Sequence, residues 1–374
     1  MSGVELYIGL MSGTSLDGVD AVLMRAEADG GVRALAHAYQ PFGAELRAEL
    51  LALNSPGDNE LQRAALAGNA MARVYAQTCH ALLAGQRLVP QQIRALGAHG
   101  QTVRHRPGEF DGTGFTVQLL NASLLAELSG IAVVHDLRSR DLAVGGQGAP
   151  LVPAFHRAVL AQDGRDVVVL NVGGISNVSL LWGDGRSGGF DCGPGNCLMD
   201  GWIRRHQGAA YDAGGHWAAQ GQVHAGLLDA LLAEPYFRQS PPRSTGRDLF
   251  NLDWLDARIA AHAPRVSAVD VQATLLELSA VSVLDSLVAF APGAWRELLV
   301  CGGGAFNDTL LKRLQVLLPT VSIGTTDVKG LPPMQVEGAA FAWLAMRHVR
   351  GLPGNLPAAT GASGPRVLGS YTPA

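Results

Sequence analysis

The run from Ile8 to Asp20, IGLMSGTSLDGVD, ends an apolar stretch with glycines, hydroxyl side chains and two carboxylates. Glycine lets a backbone approach an anion, and successive N–H groups in such a turn form a concave site for phosphate oxygens. The candidate nucleotide-binding residues here are Ser12, Gly13, Thr14, Ser15, Asp17, Gly18 and Asp20. Asp17 would repel a phosphate, so it is the candidate to face Mg²⁺ through water. An ordinary hairpin made of common turn residues is the alternative.

Three more glycine-rich turns follow apolar strands, near residues 174, 194 and 303. The last, CGGGAFN, suits an adenosine because bare backbone lets a flat ring lie against it. The candidate nucleotide-binding residues in these turns are Gly173, Gly174, Gly302, Gly303 and Gly304. Together the four turns predict a nucleotide cleft between two related halves. The chain has no GxxxxGK[ST] phosphate loop and no HExxH.

Two acids are candidates for proton transfer. Asp191 ends a short strand and precedes the CGPGN turn. Phosphoryl transfer needs a base or a water-positioning group near the acceptor, which this placement would supply. A capping role for the following helix is the alternative. Glu337 opens a predicted helix, where the helix dipole alone favours an acid.

Polar side chains that suit a sugar also follow predicted strands. His99 and Gln101 lie in HGQT, Gln147 lies in GGQGAP, and Asn196 lies in CGPGN. His99 is interpreted as a hydrogen-bonding histidine, since no further metal ligands are spaced around it. The loop PPRSTGRD adds the cations Arg243 and Arg247, for which a solvated loop is the competing interpretation.

Composition limits the class of partner. The chain has 374 residues, enough for two domains, and its net charge of −4 comes without a Lys/Arg cluster that would favour nucleic acid. The N-terminus lacks a signal-like pattern, and no segment is expected to reach the ~20 apolar residues of a membrane span. We therefore expect a cytoplasmic protein with no membrane partner. The four cysteines lack CxxC spacing and are expected to be reduced thiols.

The order strand, glycine turn, strand, strand, helix occurs twice, starting near residues 6 and 166. This repeat predicts an α/β protein of two helix-backed halves. The predicted domains are residues 1–150, completed by a helix near 336–350, and residues 151–335. The tail beyond Arg350, rich in Gly, Pro and Ala, is expected to be frayed or loosely packed.

The chain resembles the anhydro-N-acetylmuramic acid kinases, bacterial enzymes of the actin, Hsp70 and sugar-kinase superfamily. The resemblance runs from Gly9 to about Trp343 through these motifs: GLMSGTSLDGVD, HGQT, GGQGAPLVPAFH, NVGGISN, FDCGPGN, PPRSTGRD and CGGGAFN. The chain departs from the family pattern at four positions, with Cys192 for Thr, Arg243 for Lys, Asp248 for Glu and Gly338 for Ala.

The resemblance implies two ribonuclease-H-like (actin-like ATPase) domains around a central nucleotide and sugar cleft. It implies ATP and Mg²⁺, a homodimer, and 1,6-anhydro-N-acetylmuramic acid as substrate in peptidoglycan recycling. Asp191 would take a proton from water that attacks the anomeric carbon, while the expelled O6 captures the γ-phosphoryl group. Arg140 would hold the sugar and support Asp191, and Glu337 would contact the sugar. A kinase of the same superfamily that phosphorylates a simple sugar hydroxyl is the alternative.

Overall fold

The computed structural model describes residues 4–13, 16–27, 31–247, 249–291, 293 and 295–374. The chain divides into two compact units. Unit 1 takes the residues up to Val159 together with Gln335–Ala374, and unit 2 is Leu160–Met334. The division thus falls nine residues after the predicted boundary at 150 and places the helix that starts at Val152 in unit 1.

The described elements follow one another in three stretches of chain. The first contains β1 (Glu5–Met11), β2 (Gly18–Ala26), β3 (Val32–Pro41), α1 (Ala44–Ala52), α2 (Glu60–Gln86), β4 (Ile93–Ala98), β5 (Gln101–Pro107), β6 (Gly114–Leu119), α3 (Ala122–Ser129), β7 (Val133–His135), α4 (Ser139–Leu142) and α5 (Val152–Leu160). The second contains β8 (Val167–Val172), β9 (Ile175–Leu181), β10 (Ser187–Pro194), α6 (Cys197–Gln207), α7 (Ala225–Leu232), α8 (Leu252–His262), α9 (Ala268–Phe290), β11 (Glu297–Cys301), α10 (Asp308–Leu317) and β12 (Ser322–Thr325). The third contains α11 (Val336–Val349), α12 (Pro357–Thr360) and β13 (Ser370–Thr372).

Each unit contains its own sheet, and the two sheets have a similar arrangement of strands. In unit 1 the strand order is β3-β2-β1-β4-β7-β13, and in unit 2 it is β10-β9-β8-β11-β12. In each, the first three strands of the repeat form an antiparallel meander, and the strand that opens the meander pairs in parallel with a later strand. This is the ribonuclease-H-like arrangement, so the predicted fold class is confirmed for each unit.

Helix α11 lies directly on the backbone of β1 and β4. A Cβ added at Gly9 would collide with the Gly338 carbonyl, and one at Gly97 would collide with the Phe341 carbonyl. Gly338 faces Val22, whose Cγ2 lies 2.5 Å from where a Cβ would be. The Ala that is common at this position in the resembled family would therefore require Val22 to move.

Helix α9 is the long core helix of unit 2. It is long and apolar enough to cross a membrane, with a mean hydropathy of 1.6, which corrects the expectation that no segment would be. Its most apolar window is 67% buried within the fold, as in the core helix of a globular protein. Helix α9 also carries buried hydroxyl side chains, and one of them, Ser279, donates to the Gly195 carbonyl at 2.8 Å. The helix therefore supports the site loops as well as filling the core.

The C-terminal tail is ordered, so the expectation of a frayed tail is wrong. Strand β13 pairs antiparallel with β7 and extends the sheet of unit 1. Asn355, Thr360 and Leu368 are buried. The tail is held because its polar side chains bond to a buried carboxylate, described below, and not because its composition favours order.

Candidate active site

The first glycine turn is held by side chains of unit 1. Ser12 is 1% exposed, and its hydroxyl hydrogen-bonds to the Tyr75 hydroxyl at 2.8 Å and donates to the Gly100 carbonyl at 3.1 Å. The Gly13 carbonyl accepts from Gln101 Nε2 at 3.1 Å. The Ser12 hydroxyl is therefore engaged inside unit 1. Thr14 and Ser15 lie outside the described residues.

His99 is fixed as a neutral imidazole beneath this turn. Its Nδ1 donates to the Ser12 carbonyl at 3.0 Å, so its Nε2 is the atom that accepts from Arg138 Nη2 at 2.8 Å. Burial, and then the Arg138 charge, lower the pKa of His99 to about 3. Arg138 also donates to the Gly148 carbonyl at 2.7 Å. His99 and Arg138 thus connect the first turn to the loop that carries Gln147.

One polar atom of the Gln101 side chain, Oε1, is an unpaired hydrogen-bond acceptor among the described residues. The side chain is 1% exposed, and Nε2 is directed at main-chain carbonyls. Its Oε1 is buried and has no hydrogen-bond partner among the residues that the structure describes. A buried acceptor without a donor is costly, so this atom is suited to receive a ligand hydroxyl or amide.

The remaining residues of the first stretch differ in exposure. Asp17 is exposed at the end of the turn, and its carbonyl accepts from the Phe42 N–H at 3.0 Å. Asp20 lies on β2 and pairs with His37 Nε2 at 2.6 Å. Gly18 has no room for a Cβ against β3. Of this group, Asp17 offers the most accessible carboxylate, while the glycine at position 18 is explained by packing.

The loop with Gln147 is built around a buried acid that the sequence analysis did not single out. Asp141 is 0% exposed, and its Oδ2 accepts from the Gly148 N–H at 2.8 Å. Its Oδ1 accepts from Asn355 Nδ2 at 2.7 Å and Thr360 Oγ1 at 2.9 Å. The Gln147 N–H in turn donates to the Thr360 carbonyl at 2.7 Å. Asp141 and the tail therefore fix the backbone of this loop.

Arg140 and Glu337 lie at element ends in unit 1. Arg140 is exposed on the short helix α4. Glu337 is half-buried in the first turn of α11. The side chains of both reach the surface, so both can contact a ligand.

The second glycine turn is held by backbone. The Gly174 carbonyl accepts from the N–H groups of Gly195 at 2.9 Å and Cys197 at 3.1 Å, and the Gly173 carbonyl accepts from Asn196 at 2.8 Å. The Asn196 side chain donates to the Val172 carbonyl at 3.1 Å. NVGGISN and CGPGN thus form one unit of structure.

The triple glycine joins this cluster. Gly302 has a φ of 75°, and a Cβ there would collide with Asn171; a Cβ at Gly304 would collide with Val172. Gly303 is different, because it is exposed and a Cβ there would meet only Asn196 Nδ2 at 3.6 Å. Packing explains the outer two glycines, and the middle one supplies the bare surface.

Asp191 lies at an irregularity near the end of β10. The pairing of β10 with β9 shifts register between Asp191 and Gly193, and such a bulge re-aims a side chain. The carboxylate Oδ2 accepts from the Thr245 N–H at 3.0 Å. Its carbonyl accepts from the Tyr236 hydroxyl at 2.8 Å and from Arg243 Nε at 3.0 Å. The acid is therefore fixed through both its side chain and its main chain.

The loop PPRSTGRD is partly a core element, so the solvated-loop interpretation is wrong for Arg243, which is 5% exposed. Arg247 is exposed, and its guanidinium lies 3.5 Å from where a Cβ of Gly174 would be. The glycine at 174 thus leaves room for a cation beside the second turn. Asp248 lies outside the described residues.

No group of three or more His, Cys, Asp or Glu side chains suitable for a metal occurs in the described part of the chain. Cys192 and Cys197 are buried free thiols, and burial raises the pKa of both, to about 12 and about 11. Both thiols are therefore protonated at neutral pH in the structure as it stands.

Several supporting residues escaped the sequence analysis. Tyr75 lies within an Ala-rich helix, and Asp141 lies among other polar residues, so neither shows a distinguishing local pattern. Tyr236 was not distinguishable from a core aromatic. Arg138 is the exception, because it is a cation that lies in the sequence between two predicted sugar-contacting residues, Gln101 and Gln147.

The family model described as "Anhydro-N-acetylmuramic acid kinase" matches residues 5–374. The chain is 58% identical to the anhydro-N-acetylmuramic acid kinase of Variovorax paradoxus (strain S110), covering 99% of each chain. It is 55% identical to that of Thiobacillus denitrificans (strain ATCC 25259 / T1), covering 99% of this chain and 98% of the relative. A solved activator of 2-hydroxyisocaproyl-CoA dehydratase from Clostridium difficile aligns with a TM-score of 0.47 at 11% identity, covering 93% and 96%.

Proposed function

This chain belongs to the anhydro-N-acetylmuramic acid kinase family and is a kinase, and on that premise we propose how its residues perform the reaction. The substrate is 1,6-anhydro-N-acetylmuramic acid. Water opens the anhydro ring at the anomeric carbon, and O6 receives the γ-phosphoryl group of ATP. The products are N-acetylmuramic acid 6-phosphate and ADP. The observation that carries the proposal is the fixed position of the Asp191 carboxylate.

Asp191 is the general base. One proton of the attacking water goes to its carboxylate as the water oxygen bonds to C1 and the C1–O6 bond breaks. O6 forms the new bond to the γ-phosphorus, and the bond from that phosphorus to the bridging oxygen breaks, so that ADP leaves with this oxygen. The Thr245 N–H, 3.0 Å from Oδ2, orients the carboxylate without neutralising it. A single base suffices because the expelled oxygen is itself the phosphoryl acceptor, in contrast to the two carboxylates of most glycosidases.

The sugar is held by polar groups of unit 1. We assign Gln101 Oε1, which has no hydrogen-bond partner within the described residues, and the side chains of Gln147 and Arg140 to contacts with the sugar. Glu337 is assigned to the same sugar. His99 contributes as a neutral group, since its pKa is about 3 and both ring nitrogens are already bonded. Its part is to hold the Ser12 carbonyl and Arg138 in place.

ATP is assigned to the glycine turns. The residues present fit it, because Gly303 and Gly174 expose bare backbone. Asn196, whose side chain donates to the Val172 carbonyl, stays assigned to the sugar. Asp17 would face Mg²⁺, which screens phosphate charge when bound. Gly13, with Thr14 and Ser15, would supply further phosphate donors. These assignments rest on family resemblance and, for Gly303 and Asp17, on their exposure.

A homodimer in the cytoplasm completes the proposal, on family resemblance alone. Light scattering of the purified chain measures the oligomer directly. A mass of one chain at micromolar concentration would contradict the dimer.

The decisive variant is Asp191→Asn. We expect kcat to fall by about 10²–10⁴-fold, as for loss of a general base, with ATP affinity unchanged. ADP release with the anhydro sugar gives kcat, and titration with an ATP analogue gives affinity. Asp256→Asn, which removes an exposed surface ion pair, is the control. Undiminished turnover by Asp191→Asn would refute the role of Asp191.

Phosphorylation of a simple sugar hydroxyl is the alternative reaction. Two measurements distinguish it from the proposed one: the fate of an oxygen isotope from water, and the relative turnover of different sugars. In ¹⁸O-labelled water the proposed reaction places one label at the anomeric carbon of the product. Faster turnover of N-acetylmuramic acid or glucose than of the anhydro sugar would favour the alternative.

A further inference from the structure

We propose that Arg243 is the positioning residue of Asp191, holding the end of β10 through its main chain without touching substrate. The inference rests on the proposed role of Asp191 as general base. It gives a function to the loop PPRSTGRD, whose cation at this position is Lys in the usual family pattern.

The donors of Arg243 are all directed into unit 2. Nε donates to the Asp191 carbonyl at 3.0 Å, and Nη2 donates to Ser286 Oγ on α9 at 2.7 Å. Nη1 is surrounded by carbonyls, with Phe237 at 3.1 Å and Gln239 at 3.0 Å. A guanidinium offers five N–H donors in a fixed plane, so it connects several segments at once. With the side chain 5% exposed, it is not available to a phosphate.

Aromatic rings complete the surroundings of this buried cation. The guanidinium carbon lies 4.9 Å from the ring centroid of Phe290, 5.1 Å from that of Tyr236 and 5.3 Å from that of Phe190. Such contacts stabilise a desolvated cation. Phe190 directly precedes Asp191, so the same contacts also fix the strand on the other side of the acid.

Asp191 is held at three further points, two from the loop PPRSTGRD and one from Tyr236, which precedes that loop in the chain. The Asp191 N–H donates to the Arg243 carbonyl at 3.2 Å, the Thr245 N–H reaches Oδ2 at 3.0 Å, and the Tyr236 hydroxyl shares the Asp191 carbonyl at 2.8 Å. Arg243 thus exchanges backbone and side-chain bonds with one residue. Because β10 is irregular here, regular strand pairing alone does not set the direction of the carboxylate. Arg243 supplies the missing constraint.

A positioning role predicts a specific kinetic pattern. For Arg243→Met we expect kcat to fall about 10²-fold, the scale of a misplacement near 1 Å, with KM for ATP and for the anhydro sugar unchanged within about twofold. Arg243→Lys, which keeps the charge and some donors, is expected to recover kcat to within about tenfold of the wild type. Arg313→Met breaks an ion pair with the largely buried Glu277. It is the control for lost stability and should leave kcat unchanged.

A double variant separates positioning from general damage. If Arg243 acts through Asp191, Arg243→Met costs no further turnover in the Asp191→Asn background. An equal loss in both backgrounds would overturn the inference while leaving Asp191 as the base. A tenfold rise in KM with kcat retained would also overturn it, because that is the pattern of a substrate-binding cation. Full activity of Asp191→Asn alone would instead refute the proposed function.

A second route is available if Arg243→Met does not fold. Tyr236→Phe removes only the other side-chain donor to the Asp191 carbonyl and keeps the ring. We expect its kcat to fall about fivefold at constant KM, the worth of one hydrogen bond. Unchanged kcat in Tyr236→Phe, at an unchanged unfolding midpoint, would contradict the positioning of Asp191 through its carbonyl.

Discussion

The two units share a sheet topology but stabilise its centre in opposite ways. In unit 1, Gly9 on β1 pairs in register with Gly97 on β4, and α11 rests on bare backbone. In unit 2, the neighbouring strands pair Leu170 with Val300, both buried. One unit thus brings a helix close to the sheet, and the other fills the space with side chains. The common fold leaves this choice open.

The first two glycine turns also differ in what holds them, side chains in unit 1 and main-chain bonds in unit 2. The first turn is held by side chains that come from distant parts of unit 1, among them Tyr75, Gln101 and His99. The second is held by main-chain bonds to the CGPGN turn. Single substitutions can therefore dismantle the support of the first turn, whereas the support of the second is largely independent of side-chain identity.

The largest expected difference concerns Gly9. Gly9→Ala drives a Cβ into the Gly338 carbonyl and the Ala342 N–H, so α11 must move. We expect the free energy of unfolding to fall by about 3 kcal/mol, at the upper end for overpacking. Urea denaturation measures it. Gly85→Ala, at a helical site with no atom near the new Cβ, should stabilise by about 0.5–1 kcal/mol. Equal effects of the two would contradict the close approach of α11.

Acid should weaken unit 1 first. Burial lowers the pKa of His99 and of His156 to about 3, from a usual value of 6.5. Between these values the unfolded chain binds protons that the folded chain does not, so stability falls as pH drops below 6.5 and continues to fall towards 3. At pH 5.5 the loss is about 1.4 kcal/mol for each histidine.

This loss is measured by urea unfolding at pH 7.5 and pH 5.5, with hydrogen exchange reporting on each unit after correction for intrinsic rates. His99→Gln should flatten the pH dependence by about half, since one of the two buried histidines is gone. An unchanged slope in that variant would contradict a neutral, buried His99.

The smallest effects come from a matched pair of serines at the two turns. Ser12→Ala removes one hydrogen bond of the Tyr75 hydroxyl, and we expect the free energy of unfolding to fall by about 1 kcal/mol. Ser176 is 1% exposed, and its Oγ has no hydrogen-bond partner within the described residues, so Ser176→Ala should cost less than about 0.5 kcal/mol. Thermal denaturation of both variants tests the contrast. A larger loss for Ser176→Ala would reverse it.

Sequence patterns were sufficient for features that repeat and insufficient for those that depend on distant partners. The duplicated strand and turn order predicted the three-stranded antiparallel meander of each sheet, because hydrophobic period and turn chemistry are local. The carboxylate of Asp141 could not be found, because its partners Asn355 and Thr360 lie more than 200 residues later in the chain. For the same reason the tail was misjudged as loose. Arg243 was ambiguous, since a loop sequence does not show whether its cation faces solvent or carbonyls.

The supports of Asp141 have a consequence for biosynthesis. Unit 2 is continuous in sequence, so all of it has been synthesised before residues 335–374 of unit 1 are made. Unit 1 is split, and its acid at 141 lacks two of its donors until residues 355 and 360 emerge. A nascent chain therefore contains the whole sequence of the second unit while the Asp141 loop still lacks its later donors. Premature termination near residue 350 would yield a product with its proposed base in place and its substrate loop unsupported.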